Sequence, residues 1–154
     1  MNISIRKASE SDFPEVLSLI KKLAEYEKEP DKVTNSVDLM KEEQDHFRCF
    51  VAETENHEIV GMAIYFFAYY TWVGKSLYLE DIYVKEQYRR YKIGTMLLRK
   101  IFEIALNENC KRVRWQVLDW NTSAIEFYRK GGAEITNNWL NCTYDKDGIL
   151  NFNL

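Results

Sequence analysis

The sequence predicts an α+β protein with an α/β/α layering, in which a mixed and mostly antiparallel sheet of about seven strands carries helices on both faces. Three observations predict it. Alternating apolar runs come early and are joined by short polar turns. Two stretches, around residues 13–24 and 93–105, repeat apolar residues at helical spacing. A strand, a basic loop, a helix and another strand then follow one another between residues 77 and 118, a unit whose strands should run parallel.

Element by element, Ile3 and Ile5 alternate with polar residues across 2–7 and give a first strand. Ser9 or Ser11 is placed to cap the helix that follows, whose apolar stripe is Phe13, Val16, Leu17, Ile20, Leu23 and Ala24 and which ends before Pro30. A short helix is expected from Ser36 to about Gln44. Cys49–Glu53 and Ile59–Tyr69 read as a hairpin about Glu55-Asn56-His57-Glu58, and Leu77–Val84 as the next strand. Ile93, Met96, Leu97, Ile101, Ile104 and Ala105 mark a helix, and Arg112–Leu118 a strand. Thr122–Lys130 is a helix stopped by Gly131-Gly132. Residues 139–154 read as two strands turning at Asp147-Gly148.

With 154 residues, 46% of them apolar, the chain fits a single domain, 1–154, with a real core, and disordered or collagen-like classes are excluded. No apolar run reaches the length of a membrane span, and the first residues show no signal pattern, so a cytoplasmic protein is expected. Three scattered cysteines make a disulfide framework a poor expectation. His46 and His57 form no spaced pair, so neither a zinc site nor a Ser-His-Asp triad is expected, and no metal is assigned. The net charge of −3 hides an uneven distribution. Residues 1–84 carry nine basic and sixteen acidic side chains, whereas residues 85–130 carry eleven basic and five acidic. Such blocks occur on any charged surface. They also suit a site with a cationic half for a phosphate-rich ligand and an anionic half for a cationic one. Overall acidity argues against a nucleic-acid partner.

Chemistry-bearing residues fall in three places. Strict alternation would put Glu80 on one face of its strand with Tyr78, Ile82 and Val84, and Asp81 on the other with Leu77, Leu79 and Tyr83. A carboxylate among apolar neighbours needs a partner or a task, tying down a loop amide being the plainer one. Residues 87–95 form a polar loop opening a helix, with Arg89, Arg90 and Lys92 adding charge and Gly94 allowing close approach. That pattern binds phosphate, or is a solvated basic loop. Asp119-Trp120-Asn121 opens the next helix, on which Tyr128 lies two turns along. A tyrosine so placed is a general acid or a packed aromatic with a wet tip.

Taken together these segments resemble the GNAT superfamily of N-acetyltransferases nearly end to end, and within it the spermidine/spermine and thialysine N-acetyltransferase branch. The resemblance rests on Leu23-Ala24-Glu25-Tyr26-Glu27, on residues 69–75, on Tyr78-Leu79-Glu80-Asp81-Ile82-Tyr83-Val84, on Tyr88-Arg89 with Ile93-Gly94, and on Val117-Leu118-Asp119-Trp120-Asn121 with Ala124, Tyr128 and Gly132-Ala133. It implies the acyl-CoA N-acyltransferase (GNAT) fold and acetyl-CoA as cosubstrate. By the same resemblance, Ile82, Tyr83 and Val84 offer backbone groups to the acetyl and pantetheine part. Arg89, Arg90, Tyr91, Lys92, Ile93, Gly94 and Thr95 wrap the pyrophosphate, and Asn121 and Ala124 contact the pantetheine arm. Tyr128 is implied as the general acid beside the thioester sulfur, and Glu80 assists loss of the amine proton. Tyr26, Glu27, Trp72, Glu80 and Asp81 line the amine channel, with Arg114, Trp115 and Gln116 nearby. A homodimer is implied by analogy.

Departures from the family pattern are visible. Lys92 and Arg90 replace common glycines of the loop, Tyr70 stands where polyamine-acetylating members tend to carry an acid, and the region after Ala133 matches poorly. The activity that the resemblance implies is acetyl transfer from acetyl-CoA to a primary amine of a small molecule, thialysine, a lysine-like amino acid, or a diamine or polyamine, with Tyr70 weakening the case for spermidine or spermine. A free alkyl amine has a pKa of roughly 10.4, arrives as a cation, and must lose a proton before it can attack. The alternatives are a peptide or protein amine as acceptor, or a non-catalytic acyl-CoA-binding module.

Overall fold

The computed structural model describes residues 2–153. The chain divides after Gln116 into two compact units.

The first unit is built on a five-stranded sheet in the order β1-β2-β3-β4-β5, formed by β1 (Ile3–Lys7), β2 (Arg48–Thr54), β3 (Ile59–Tyr70), β4 (Gly74–Val84) and β5 (Val113–Arg114). The first four are antiparallel neighbours, and β4 and β5 run parallel as expected. On one face lie α1 (Phe13–Tyr26) and α2 (Val37–Glu42), on the other α3 (Ile93–Asn107). Each face buries its own cluster. Val16, Leu19, Val51, Met62, Ile64 and Tyr83 belong to the α1 side, and Phe50, Ala63, Leu77, Leu79, Leu97 and Ile101 to the α3 side. Residues on β2 and β3 alternate between the two, as a sheet covered on both faces requires.

The start of α1 is fixed by charge. Ser9 donates its backbone N–H and its hydroxyl to the Asp12 carboxylate at 2.7 and 2.8 Å. Arg6 on β1 forks onto the same carboxylate at 2.7 and 2.9 Å and onto Glu53 of β2 at 2.9 and 3.1 Å. The guanidinium holds the Asp12 carboxyl far below the ordinary carboxylate range. Ser36 caps α2, its hydroxyl accepting from the Leu39 N–H at 3.1 Å.

Two strand expectations are corrected. The strand expected over 112–118 pairs only at Leu77–Val113 and Tyr78–Arg114. Just beyond those pairs β4 carries a bulge at Glu80, and a bulge bends and over-twists its strand. Among the described residues, no strand pairs with that edge of β4 past Tyr78. The sheet therefore has five strands where about seven were expected.

In the second unit, α4 (Thr122–Lys130) has its expected bounds, and Gly132 beyond it adopts φ 88°. The expected C-terminal hairpin is absent. Residues 139–145 carry no regular structure, and Asp147-Gly148 lies inside a short helix, α5 (Lys146–Leu150). The reason is local: the Asp145 carboxylate accepts from the Gly148 N–H at 2.7 Å, which makes it a helix cap. Among the described residues no helix is long and apolar enough to cross a membrane.

Candidate active site

The bulge decides where the two strand acids point. Ile64 pairs with Asp81 and Tyr65 with Leu79, so Glu80 is the extra residue. Alternation resets across it. Leu77 and Leu79 face α3 before the bulge, and Ile82 and Val84 face the same side after it. Asp81, opposite Ile64 and two residues from Tyr83, faces the α1 side. The strict alternation expected for residues 77–84 is thus corrected: Asp81 does not share a face with Leu77 and Leu79. Tyr78 faces the α1 side too, stacked on Phe66 with ring centroids 5.2 Å apart.

Asp81 is half-buried while Glu80 is exposed. Burial, then the charges of Glu80 and Glu27, push the Asp81 carboxyl up to about 6. Glu27, the residue that closes α1, is itself shifted upward by burial. Three acids of the sequence reading, Glu27, Glu80 and Asp81, are therefore brought within electrostatic reach of one another, a cluster that a cation would relieve.

Next to it, Arg89 lies over the rings of Tyr26 and Tyr83, its guanidinium carbon 5.2 and 5.7 Å from their centroids. Its Nε donates to the Val84 carbonyl at 3.3 Å. A cleft of about 540 Å³ opens here, lined by Lys22, Glu25, Tyr26, Tyr83, Lys85, Glu86 and Gln87. Lys22 was not singled out from the sequence, and Glu25 only as part of the motif around Tyr26, with no role given to it. Their signal was their place on the exposed face of α1, Lys22 four residues before Tyr26 and Glu25 immediately before it, which a solvated helix face shares. Lys85 and Tyr88 are anchored by Glu58 of the β2–β3 turn, at 2.9 and 2.7 Å.

The loop after β4 holds its two departures in the conformation glycine ordinarily supplies. Arg90 has φ 76° and Lys92 φ 61°, both left-handed. Lys92 is the N-cap of α3, whose first turn contains no acid. A Cβ added at Gly94 would meet nothing within 4 Å, so the face beside it is open. The side chains of Arg90 and Lys92 make no ion pair among the described residues. Free N–H groups of a 15-residue helix, its dipole, two uncompensated cations and open space at Gly94 fit a pyrophosphate. Ile93 is buried as a core residue, while Tyr91 is exposed and Thr95 half-buried. On the edge of β4 that no strand pairs past Tyr78, among the described residues, Ile82 and Val84 turn their backbone groups outward, the Val84 carbonyl accepting from Arg89, while Tyr83 turns its own to β3; Ile82 offers this edge to an extended ligand.

The remaining candidates of the first unit lie elsewhere on the sheet. Trp72, 88% exposed, stands in the β3–β4 turn, some 20 Å of strand from Asp81. Trp115 packs against the α3-side core, Gln116 is exposed, and Arg114 faces the ring of Tyr70. In the second unit the Asn121 side chain accepts from the Ala124 N–H at 3.3 Å and so caps α4. Tyr128 is buried, and burial alone raises its phenol above its usual range. A phenol so shifted stays protonated at neutral pH.

Comparison with known proteins identifies the family. The model of the acetyltransferase (GNAT) family matches residues 6–132. A thialysine N-epsilon-acetyltransferase of Mus musculus is 37% identical over 94% of this chain and 94% of its own length. That of Bos taurus is 40% identical over 86% of this chain and 84% of its own. Among solved structures, an aminoglycoside acetyltransferase from an uncultured soil sample superimposes with a TM-score of 0.76 at 20% identity, covering 93% of this chain and 95% of that one. The chain therefore belongs to the acetyltransferase (GNAT) family of acetyl-CoA-dependent N-acetyltransferases.

Proposed function

We propose that this N-acetyltransferase acetylates the terminal primary amine of a small lysine-like molecule, thialysine being the model substrate, by direct attack of the amine, and that residues 1–154 act as one catalytic domain. The observation that carries the reading is the acid cluster at the β4 bulge. Asp81, held at about 6 by burial and by Glu80 and Glu27, attracts an ammonium and is close enough to neutrality to take its proton. Glu80, exposed beside it, passes that proton to water. Acetyl-CoA, when bound, supplies the acetyl group as a thioester.

Arg89, Arg90, Lys92 and the first N–H groups of α3 hold the pyrophosphate, and the free edge of β4 holds the extended arm. Tyr128, protonated at neutral pH, releases a proton to the leaving thiolate. Tyr26 and Glu27 border the amine entrance. A cytoplasmic homodimer completes the proposal. The exposed Phe67, Tyr69, Trp72 and Val73 at the end of the β3–β4 hairpin offer an apolar surface for a second copy.

A CoA-release screen over thialysine, lysine, diamines, polyamines and lysine-containing peptides tests the function. Highest kcat/KM for thialysine or lysine is expected. Turnover confined to peptides would move the acceptor to protein amines, and no product in a single turnover would reduce the chain to a binding module.

A further inference from the structure

The α1-facing surface of the sheet carries a second charged group, farther along from the acids. Val113 and Trp115 pack into the α3-side core, so Arg112 and Arg114, alternating with them, face the opposite side. Tyr70, at the end of β3, receives both. The guanidinium carbon of Arg112 lies 4.1 Å from its ring centroid and that of Arg114 5.6 Å. Neither arginine is ion-paired among the described residues, and Arg112 Nε is buried with no hydrogen-bond partner.

Tyr78 stands between the two groups. It is the β4 partner of Arg114 and precedes Asp81 on the same face. Burial is the main influence on its phenol; the Glu80 and Asp81 charges then disfavour its ionisation, and Arg114 favours it. One aromatic side chain therefore feels both ends of a dipolar strip. Adjacent strands ~4.8 Å apart and a rise of ~3.3 Å per residue separate Arg114 from Asp81 by roughly 10 Å of sheet. An extended lysine-like chain spans roughly 7–8 Å from carboxylate to ammonium and, with a hydrogen bond of ~2.9 Å at each end, bridges roughly 13–14 Å; the Arg114 side chain, drawn toward Tyr70 opposite Gly74, sets its guanidinium farther from Asp81 than the two backbones are.

We propose that Arg114, with Arg112 stacked on Tyr70 beside it, binds the carboxylate of an α-amino acid whose side-chain amine is directed at Asp81, making the enzyme selective for amino acids over diamines and polyamines. The inference rests on the small-amine reading above and names its substrate class. A guanidinium fork matches a carboxylate bidentately, and stacking on an aromatic ring holds it ready. The same pair repels the second ammonium of a polyamine, so discrimination comes from both attraction and repulsion.

The test compares kcat/KM for thialysine and for its decarboxylated counterpart, S-(2-aminoethyl)cysteamine, in the parent enzyme and in Arg114→Gln, Arg112→Gln and Arg114→Lys. The parent is expected to favour the carboxylated amine at least tenfold. Arg114→Gln should collapse that ratio toward one through the KM for thialysine, Arg112→Gln should lower it, and Arg114→Lys should retain part of it. Because the ratio is taken within one preparation, partial unfolding cancels. Equal use of both amines by the parent, or an equal fall for both in Arg114→Gln, overturns the carboxylate site alone. Failure of the parent to acetylate either amine overturns this inference and the small-amine reading together.

Discussion

Replacing Asp81 by asparagine removes a charge and keeps the shape. Its carboxyl is raised from 3.8 to about 6 by burial, then by Glu80 and Glu27. In an unfolded chain the same group titrates near 4. Between those values the folded protein holds a proton that the unfolded chain has released, so stability falls as pH rises through the window. Above it the ionised carboxylate costs the fold a little over two pK units, about 3 kcal/mol. Asparagine escapes that cost. At pH 7.5 the variant should be more stable than the parent by up to about 3 kcal/mol, a rise in Tm of roughly 6–12 °C for a chain of this length. The difference should shrink through pH 6 and vanish near pH 4, where both side chains are neutral. Paired urea or thermal denaturation at pH 7.5, 6 and 4 measures it, the other titrating groups cancelling between the two proteins. Acetylation of thialysine should drop sharply in the same protein. An offset independent of pH, or a variant less stable at pH 7.5, would refute the placement of this carboxylate.

Tyr128→Phe should lower kcat by about 10²-fold or more while acetyl-CoA still binds; isothermal titration beside steady-state kinetics checks both halves, and unchanged turnover removes Tyr128 from proton donation. Lys92→Gly should relieve a left-handed non-glycine residue, raising stability by about 1 kcal/mol, yet weaken CoA binding by loss of charge; thermal melts and binding isotherms separate the two effects. Asp12→Asn should destabilise by about 2 kcal/mol at neutral pH through loss of its charged bonds to Arg6. Because the Asp12 carboxyl is depressed, that contribution is present above the unfolded value near 4 and is lost as pH falls through the folded one, so a denaturation series from pH 7 to pH 3 should show parent and variant converging.

Elements whose signals are local were legible in the sequence. Ser36, Asn121 and Gly131-Gly132 bound their helices because caps act within a few residues. The strand–loop–helix–strand unit was legible because its periods change from two to three or four and back. What could not be read depended on pairing. Leu79-Glu80-Asp81-Ile82 alternates on paper, and only the register against Ile64 and Tyr65 shows that Glu80 stands outside it. Residues 115–118 have strand composition, but the β4–β5 ladder holds only the pairs Leu77–Val113 and Tyr78–Arg114, and composition does not set where pairing stops. Asp147-Gly148 satisfied a hairpin rule, while Asp145 three residues before Gly148 decided for a helix cap. At the candidate site, residue types were legible and the charge linkage of Glu27 with Asp81 was not, since they lie on different elements far apart in the chain.

Glu80 is not needed to aim the strand. Without it, Leu77, Leu79, Ile82 and Val84 would alternate regularly toward α3, and Tyr78, Asp81 and Tyr83 toward α1, the same assignment of faces that the bulged strand has. The extra residue therefore contributes nothing to burial. It contributes a bend, an unpaired strand edge beyond Tyr78 and a second carboxylate beside Asp81. An open edge is a liability for a sheet and is kept where something else must lie along it. Deleting Glu80 should accordingly leave a folded protein with an equal or higher Tm, lower the Asp81 pKa by removing its nearest charged neighbour in sequence, and abolish acetyl transfer. Circular dichroism melts, a pH titration of the Asp81 carboxyl by NMR and CoA-release kinetics read the three consequences. A deletion variant that turned over normally would show the bulge to be incidental to catalysis, and one that failed to fold would show that the register depends on it after all.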